Sequence, residues 1–175
     1  GEVVDIGSNI GDSAIYFAIK GAAHIYAFEP LPSAYEVALR NVMINNMESK
    51  ITLVNAAIGS REGKIKVPST INVEESGGFT VTNQGDVEVP ILSFSYVRKM
   101  IKDPYLLKLD CEGCEADIIF SSELDFEKVF VESHEKITKI CHKKLVKKLE
   151  DQDYKCEERM KIDRYTKLFY CTKLK

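Results

Sequence analysis

Short runs of apolar residues alternate along the chain with segments whose apolar residues recur at helical spacing. The clearest helical pattern covers 33–45, and Ser33 with Glu36 predicts a capping box at its start. The alternation predicts strands at 2–6, 25–28, 51–55, 105–109 and 128–132, and helices at 13–20, 33–45, 94–102, 112–121 and 136–150.

Five successive strand–helix units predict an α/β fold, because parallel strands need crossover connections that place helices on both faces of the sheet. Two further strand-like runs, 154–160 and 167–172, are separated by a short link and should pair antiparallel. We therefore expect a seven-stranded, mostly parallel sheet with one antiparallel strand. Segment 59–89 breaks the rhythm with glycines and is predicted as a loop or irregular hairpin. No linker divides the chain, so 1–175 is expected to be a single domain.

Charge and composition narrow the classes of partner. The 175 residues include 24 Lys and Arg against 27 Asp and Glu, a formal net charge of −3, which gives no general reason to bind nucleic acid or an anionic membrane. The sequence has neither an apolar run of about 20 residues nor a signal peptide, so a cytoplasmic location is expected. The first predicted strand begins at the second residue, so either the domain is minimal or an upstream segment is absent.

A glycine-containing loop joins the first predicted strand to the first helix. Gly7 and Gly11 allow a tight turn and let a ligand approach the amides at the helix start. Asn9 occupies the middle glycine position of the dinucleotide fingerprint and Asp12 the last. Because Asp5 and Asp12 would repel a pyrophosphate, the loop favours a ligand that carries an ammonium group and hydroxyls. A tight turn without a ligand is the alternative.

Glu29 follows the second predicted strand, where an acidic residue hydrogen-bonds a ribose diol in nucleotide-binding folds. The segments 4–11 (VDIGSNIG), 27–30 (AFEP) and 107–115 (LKLDCEGCE) together resemble the FkbM family of S-adenosylmethionine (SAM)-dependent methyltransferases, over about 3–134. The resemblance implies a Rossmann-like class I methyltransferase fold, SAM as cofactor, and O-methylation of a small-molecule or sugar acceptor. No Asn/Asp-Pro-Pro-aromatic tetrapeptide follows the fourth strand, which disfavours methylation of a base or amide nitrogen.

The resemblance also implies roles for individual residues. The glycine loop would surround the methionine end of SAM, Glu29 would hold the ribose hydroxyls, and the segment after the third strand would flank the adenine. The residues expected to bind the cofactor are Asp5, Gly7, Ser8, Asn9, Gly11, Glu29, Pro30, Asn55, Ala56, Ala57 and Asp110.

Candidate catalytic residues follow the fourth and fifth strands. Asp110 and Glu112 are expected to face the methyl acceptor, where a carboxylate can take a hydroxyl proton; capping the next helix is the alternative role. His134 is the candidate base at the end of the fifth strand, and an incidental loop position is its alternative.

The five cysteines are an odd number and do not suggest a disulfide framework. Cys111 and Cys114 permit three interpretations: small side chains that fill space, a redox pair, or half a zinc site with Cys141, His142 or His134. Space filling is preferred because the flanking Asp110, Glu112 and Glu115 would raise a thiol pKa and disfavour redox use, although the FkbM family usually has small apolar residues at these two positions; no metal is expected. Two further functions stay open: a nicotinamide-dependent oxidoreductase, and a non-catalytic redox or metal-binding module.

Overall fold

The computed structural model describes residues 1–70 and 85–174. Its large sheet consists of β1 (Glu2–Ile6), β2 (His24–Phe28), β3 (Ile51–Val54), β7 (Pro104–Leu109), β8 (Lys128–His134), β9 (Tyr154–Lys161) and β10 (Thr166–Lys173). The helices are α1 (Asp12–Ile19), α2 (Pro32–Ile44), α3 (Phe94–Met100), α4 (Cys114–Ser121), α5 (Glu135–Thr138) and α6 (His142–Glu150). A small sheet contains β4 (Ala57–Gly59), β5 (Gly63–Val67) and β6 (Val87–Ser93).

The large sheet has the order β3-β2-β1-β7-β8-β10-β9. Its neighbouring strands pair in parallel except that β10 runs antiparallel to both β8 and β9. The chain therefore has the expected α/β fold, a seven-stranded, mostly parallel sheet with one reversed strand. The strand order reverses between β1 and β7, and ligands of open α/β sheets bind at the carboxyl ends of strands at such a point.

Helices cover both faces of this sheet because successive strand residues point to opposite sides. Val3 packs with residues of α1 and α2 in one apolar core, whereas Val4 packs with residues of α3, α4 and α6 in the other. Both valines are at most 2% exposed. The near-continuous apolar strands seen in the sequence are thus those of a sheet buried on both faces.

Several local predictions were wrong. The N-cap of α2 is Leu31, so Ser33 lies inside the helix and forms no capping box. The predicted helix 136–150 is two helices, because Thr138 Oγ1 accepts the N–H of Ile140 and Lys139 takes a left-handed φ of 59°. Segment 59–89 agrees with the hairpin alternative, because β5 and β6 form an antiparallel pair, but the parallel addition of β4 to β6 was not predicted. Its residues 71–84 lie outside the described part of the chain.

The cysteines also depart from expectation, since the structure contains two disulfides. Cys111 pairs with Cys114, and Cys156 of β9 pairs with Cys171 directly opposite on β10, while Cys141 is free and exposed. The second pair depends on strand register, which an odd cysteine count does not reveal. Among the described residues, no helix has the length and apolar character needed to cross a membrane.

Candidate functional site

A cleft of about 410 Å³ opens at the carboxyl ends of β1, β2 and β7, where the strand order reverses. Its volume lies in the range of small-molecule sites, about 300–1,000 Å³. Eight of the thirteen residues predicted to bind the cofactor or to act in catalysis line it: Gly7, Asn9, Glu29, Pro30, Ala56, Ala57, Asp110 and Glu112. The other five, Asp5, Ser8, Gly11, Asn55 and His134, do not line the cleft.

The glycine loop forms the floor of the cleft. Gly7 has a φ of 81°, and a Cβ there would lie 1.8 Å from the carbonyl oxygen of Asp110, so only glycine lets the loop contact the end of β7. Gly11 is the N-cap of α1 and packs against Ala38 of α2, where a Cβ would lie 3.2 Å from the Ala38 Cβ. Ser8 is fully buried. Gly11 and Ser8 therefore shape the loop without lining the cleft.

A buried ion cluster supports this loop. Lys108 Nζ lies 3.0 Å from Asp5 Oδ1 and 3.4 Å from Asp110 Oδ2, and it donates a hydrogen bond of 2.9 Å to the carbonyl of Gly7. Burial opposes the charge of Lys108, but the two carboxylates outweigh burial and raise its pKa. Asp5 is fully buried and also accepts a hydrogen bond of 2.6 Å from Ser13 Oγ. Asp5 thus holds the loop in place, contrary to the expectation that it faces the ligand.

Glu29 connects the glycine loop to the turn after β2. Its two carboxylate oxygens accept the backbone N–H groups of Asn9 and Leu31, each at 2.9 Å. Burial raises the pKa of Glu29 despite these two hydrogen bonds and the charge of Lys108. Asn55 Nδ2 donates to the carbonyls of Glu29 and Pro30 at 2.8 and 3.1 Å, so Asn55 positions this turn and does not line the cleft.

The opposite wall of the cleft is mostly apolar. Ala56 and Ala57 line it next to Ile58 and Ile91 of the small sheet. Asp117 of α4 also lines it and accepts the backbone N–H of Ser60 at 2.7 Å. A flat aromatic ring fits such a wall because it removes apolar surface from water on both sides.

Asp110 and Glu112 reach the cleft from the turn between β7 and α4. Burial raises the pKa of Asp110, and the nearby Lys108 only partly offsets this effect. A carboxylate with a raised pKa is a stronger base than an exposed one. Glu112 has a left-handed φ of 51°, and its carboxylate lies 3.4 Å from His134 Nε2.

His134 is 4% exposed and surrounded by carboxylates, which argues against the base role predicted from the sequence. Its Nδ1 lies 2.8 Å from Glu115 Oε1, and its Nε2 lies 3.4 Å from both Glu112 and Glu132. Burial disfavours the charged ring, but hydrogen bonds to the three carboxylates outweigh burial and raise its pKa to about 12. An imidazolium that keeps its proton at neutral pH does not accept another.

In the described part of the chain, one group of side chains has the spacing of metal ligands. Ligand atoms of Asp110, Glu132 and His134 all lie within 4.8 Å of one another. The zinc site considered from the sequence does not form here, because Cys111 and Cys114 are bonded to each other and offer no thiolates. The absence of a metal stays a prediction.

The model of the methyltransferase FkbM domain matches residues 5–156, which is most of the sequence. The chain belongs to the FkbM methyltransferase family. The resemblance noted from the sequence motifs is thereby confirmed.

Two curated relatives match shorter parts of this FkbM chain. The ribosomal protein L11 methyltransferase of Carboxydothermus hydrogenoformans is 46% identical over 52 residues, which cover 30% of this chain and 17% of that protein. Methyltransferase sdnD of Sordaria araneosa is 36% identical over 64 residues, 36% of this chain and 25% of that protein. The FkbM chain thus spans a quarter or less of the length of these relatives.

Solved structures show the same fold. Methyltransferase FkbM from Methylobacillus flagellatus KT superposes with a TM-score of 0.64 and 17% identity, covering 97% of this chain and 43% of that one. A putative rRNA methylase from Clostridium thermocellum gives a TM-score of 0.61 and 12% identity, covering 99% and 87%. TrmK of M. capricolum, solved with S-adenosylhomocysteine, superposes with a TM-score of 0.58 and 15% identity, covering 99% of this chain and 62% of that one.

Sequence reasoning missed two charged residues of this FkbM site, Lys108 and Glu115. Lys108 is a charged residue inside an otherwise apolar predicted strand, which was a usable signal for a buried ion pair. Glu115 is fully buried and accepts the N–H groups of Gly113 and His134. The sequence showed Glu115 as the last residue of the 107–115 motif but did not indicate its role, because its partner His134 is distant in the chain.

Proposed function

We propose that this protein is a SAM-dependent methyltransferase. The observation that carries the proposal is that the glycine loop, Glu29 and Asp110 converge on one cleft. Membership of the FkbM family and the fold shared with the S-adenosylhomocysteine complex of TrmK support it.

The cleft residues fit the cofactor chemically. Glu29 uses one lone pair on each oxygen for a backbone N–H, which leaves acceptor capacity for two ribose hydroxyls. The apolar wall at Ala56 and Ala57 suits an adenine ring. Asp110 supplies negative charge for an ammonium group near Gly7, where the loop leaves no room for a side chain. SAM, when bound, supplies an electrophilic methyl group on a sulfonium sulfur.

We place the methyl acceptor beside Asp110 and Glu112 and propose that it is a small-molecule or sugar hydroxyl. Glu112 lines the cleft beside Asp110 and is the carboxylate that takes the hydroxyl proton or orients the acceptor, because Asp110 is used by the cofactor's ammonium group. Holding the acceptor oxygen in line with the methyl group is the main contribution of the chain. The acidic lining disfavours a phosphate-rich acceptor, although similar proteins include a ribosomal protein methyltransferase and a putative rRNA methylase. Methylation assays with sugars, ribosomal protein and rRNA would separate these acceptor classes.

Calorimetry with S-adenosylhomocysteine tests the cofactor assignment. Glu29→Gln removes a charge that accepts hydrogen bonds worth about 1.5–3 kcal/mol, so binding should weaken roughly 10- to 100-fold. Glu36→Gln, an exposed change on α2, is the matched control and should bind like the wild type. The proposal fails if folded wild-type protein binds neither SAM nor S-adenosylhomocysteine, or if it binds NADH in their place.

We also propose a cytoplasmic location. The two disulfides are then expected to form only transiently or as redox sensors, because permanent disulfides are rare in reducing compartments. Alkylation of thiols in freshly lysed cells tests the location: a permanently oxidised protein would contradict it.

A further inference from the structure

The Cys111–Cys114 disulfide lies in the wall of the candidate cofactor cleft. Both cysteines line the cleft, and their Cα atoms are 5.6 Å apart. The bond spans the turn that carries Glu112 and follows Asp110, two residues that also line the cleft. The proposed methyl transfer makes no use of this bond.

The two disulfides of the protein differ in their surroundings. Cys171 of β10 is fully buried in the apolar core, and its partner Cys156 of the terminal strand β9 is partly buried but does not line the cleft. Cys111 and Cys114 are only partly buried, at the cleft surface. A dithiol that enters the cleft can therefore contact the Cys111–Cys114 bond, whereas the core shields the sulfur of Cys171.

The backbone enclosed by the bond is held in an unusual conformation. Glu112 has a φ of 51°, and Gly113 has a φ of 130°. Residues with a Cβ rarely adopt a positive φ, so the backbone conformation of Glu112 is energetically unfavourable. The Glu112 carboxylate lies 3.4 Å from His134 Nε2 as a result. A covalent link across the turn opposes its relaxation.

We infer that Cys111 and Cys114 form a reversible thiol–disulfide exchange site that controls the affinity of the cleft for the cofactor. In the oxidised form, the bond holds Asp110 and Glu112 at the cleft. In the reduced form, the turn is free to relax, Asp110 is no longer held beside the ammonium group of the cofactor, and the cleft binds the cofactor more weakly. This inference rests on the proposed function, because it concerns the same cleft.

The exchange partner is a dithiol, either a small molecule or a protein with a Cys-x-x-Cys pair. A thiolate of the partner attacks one sulfur, breaks the S–S bond and releases the other sulfur as a thiolate, which takes a proton. The second thiol of the partner then displaces the first cysteine and closes the partner's own disulfide. Two electrons and two protons pass to the protein, and oxidised partner reverses the reaction.

The experiment measures S-adenosylhomocysteine affinity by calorimetry for oxidised protein and for protein reduced with dithiothreitol. We expect reduction to raise the Kd at least about five-fold. The Cys111→Ala/Cys114→Ala variant should bind equally under both conditions, with a Kd near that of reduced wild type. The Cys156→Ala/Cys171→Ala variant is the matched control and should keep the redox response.

Alkylation followed by peptide mass measurement gives a second readout that does not depend on the control variant. By reciprocity of linked equilibria, saturating S-adenosylhomocysteine should raise the ratio of reduced to oxidised dithiothreitol that half-reduces Cys111–Cys114 by the same factor as the Kd change. An unchanged Kd on reduction, or a redox response that persists without Cys111 and Cys114, overturns the inference alone. No binding in either redox state overturns the proposed function and the inference with it.

Discussion

Lys108→Met should destabilise the fold through the ion cluster beneath the glycine loop. Lys108 is 7% exposed and is the cation that pairs with fully buried Asp5 at 3.0 Å. Methionine retains much of the side-chain length but leaves a carboxylate buried without its partner. Breaking a buried ion pair in this way costs about 3–5 kcal/mol. At about 2–4 °C per kcal/mol for a chain of this size, the melting temperature should fall by roughly 6–20 °C.

Urea unfolding of the variant and its partner mutants tests the electrostatic cause. Asp5→Asn/Lys108→Met should recover at least about 1 kcal/mol relative to Lys108→Met, because the buried charge is gone. Lys143→Met, an exposed change on α6, should unfold like the wild type. A loss below about 1 kcal/mol for Lys108→Met, or no recovery in the double variant, would refute the reasoning.

Two further predictions concern the loop and the buried histidine. Gly7→Ala should abolish S-adenosylhomocysteine binding, because the new Cβ would clash with the Asp110 carbonyl. The control Gly21→Ala has a similar φ of 93° but open space around it, so it should lower the free energy of unfolding in urea by only about 1–2 kcal/mol. Equal effects of the two substitutions on S-adenosylhomocysteine binding and on the free energy of unfolding would contradict the predicted clash at Gly7. The pKa of His134 is raised to about 12, so its protonated ring stabilises the folded state. This contribution is fully present below pH 6.5 and is lost as the pH rises towards 12. The stability advantage over His134→Gln should therefore shrink between pH 7 and 10, and a constant difference would contradict the pKa.

The sequence was sufficient for the architecture because strand and helix periodicity are local properties. The bounds of β1 match the predicted strand 2–6, and the antiparallel closing pair follows from a short link between two apolar runs. Segment 33–45 was predicted as a helix within one residue at each end. The N-cap of this helix was predicted wrongly. Pro32 is the first helical residue, so Ser33 lies inside the helix and cannot act as its N-cap.

The candidate site was less accessible to sequence reasoning because its charges act across long separations. Gly7 and Lys108 are 101 residues apart, and their hydrogen bond is set by the pairing of β1 with β7. Asp5 therefore looked like a ligand residue although it is the counter-ion of Lys108. His134 looked like a base because two of its three carboxylate neighbours, Glu112 and Glu115, come from the turn before α4 and from α4, whereas only Glu132 lies on the same strand. The residue types at the strand ends identified the region of the candidate site. The roles of Asp5 and His134 depend on the charged groups packed around them, which the sequence alone does not show.

The disulfide between Cys156 and Cys171 has a consequence at the edge of the large sheet. β9 is the terminal strand, and an open strand edge is a template for pairing with other chains. In the oxidised protein, a covalent bond to β10 prevents this edge from separating and exposing a second edge behind it. Charged side chains along β9, Glu157, Glu158 and Arg159, make its outer surface a poor partner for another strand. The bond and the charges together protect the chain from edge-to-edge aggregation.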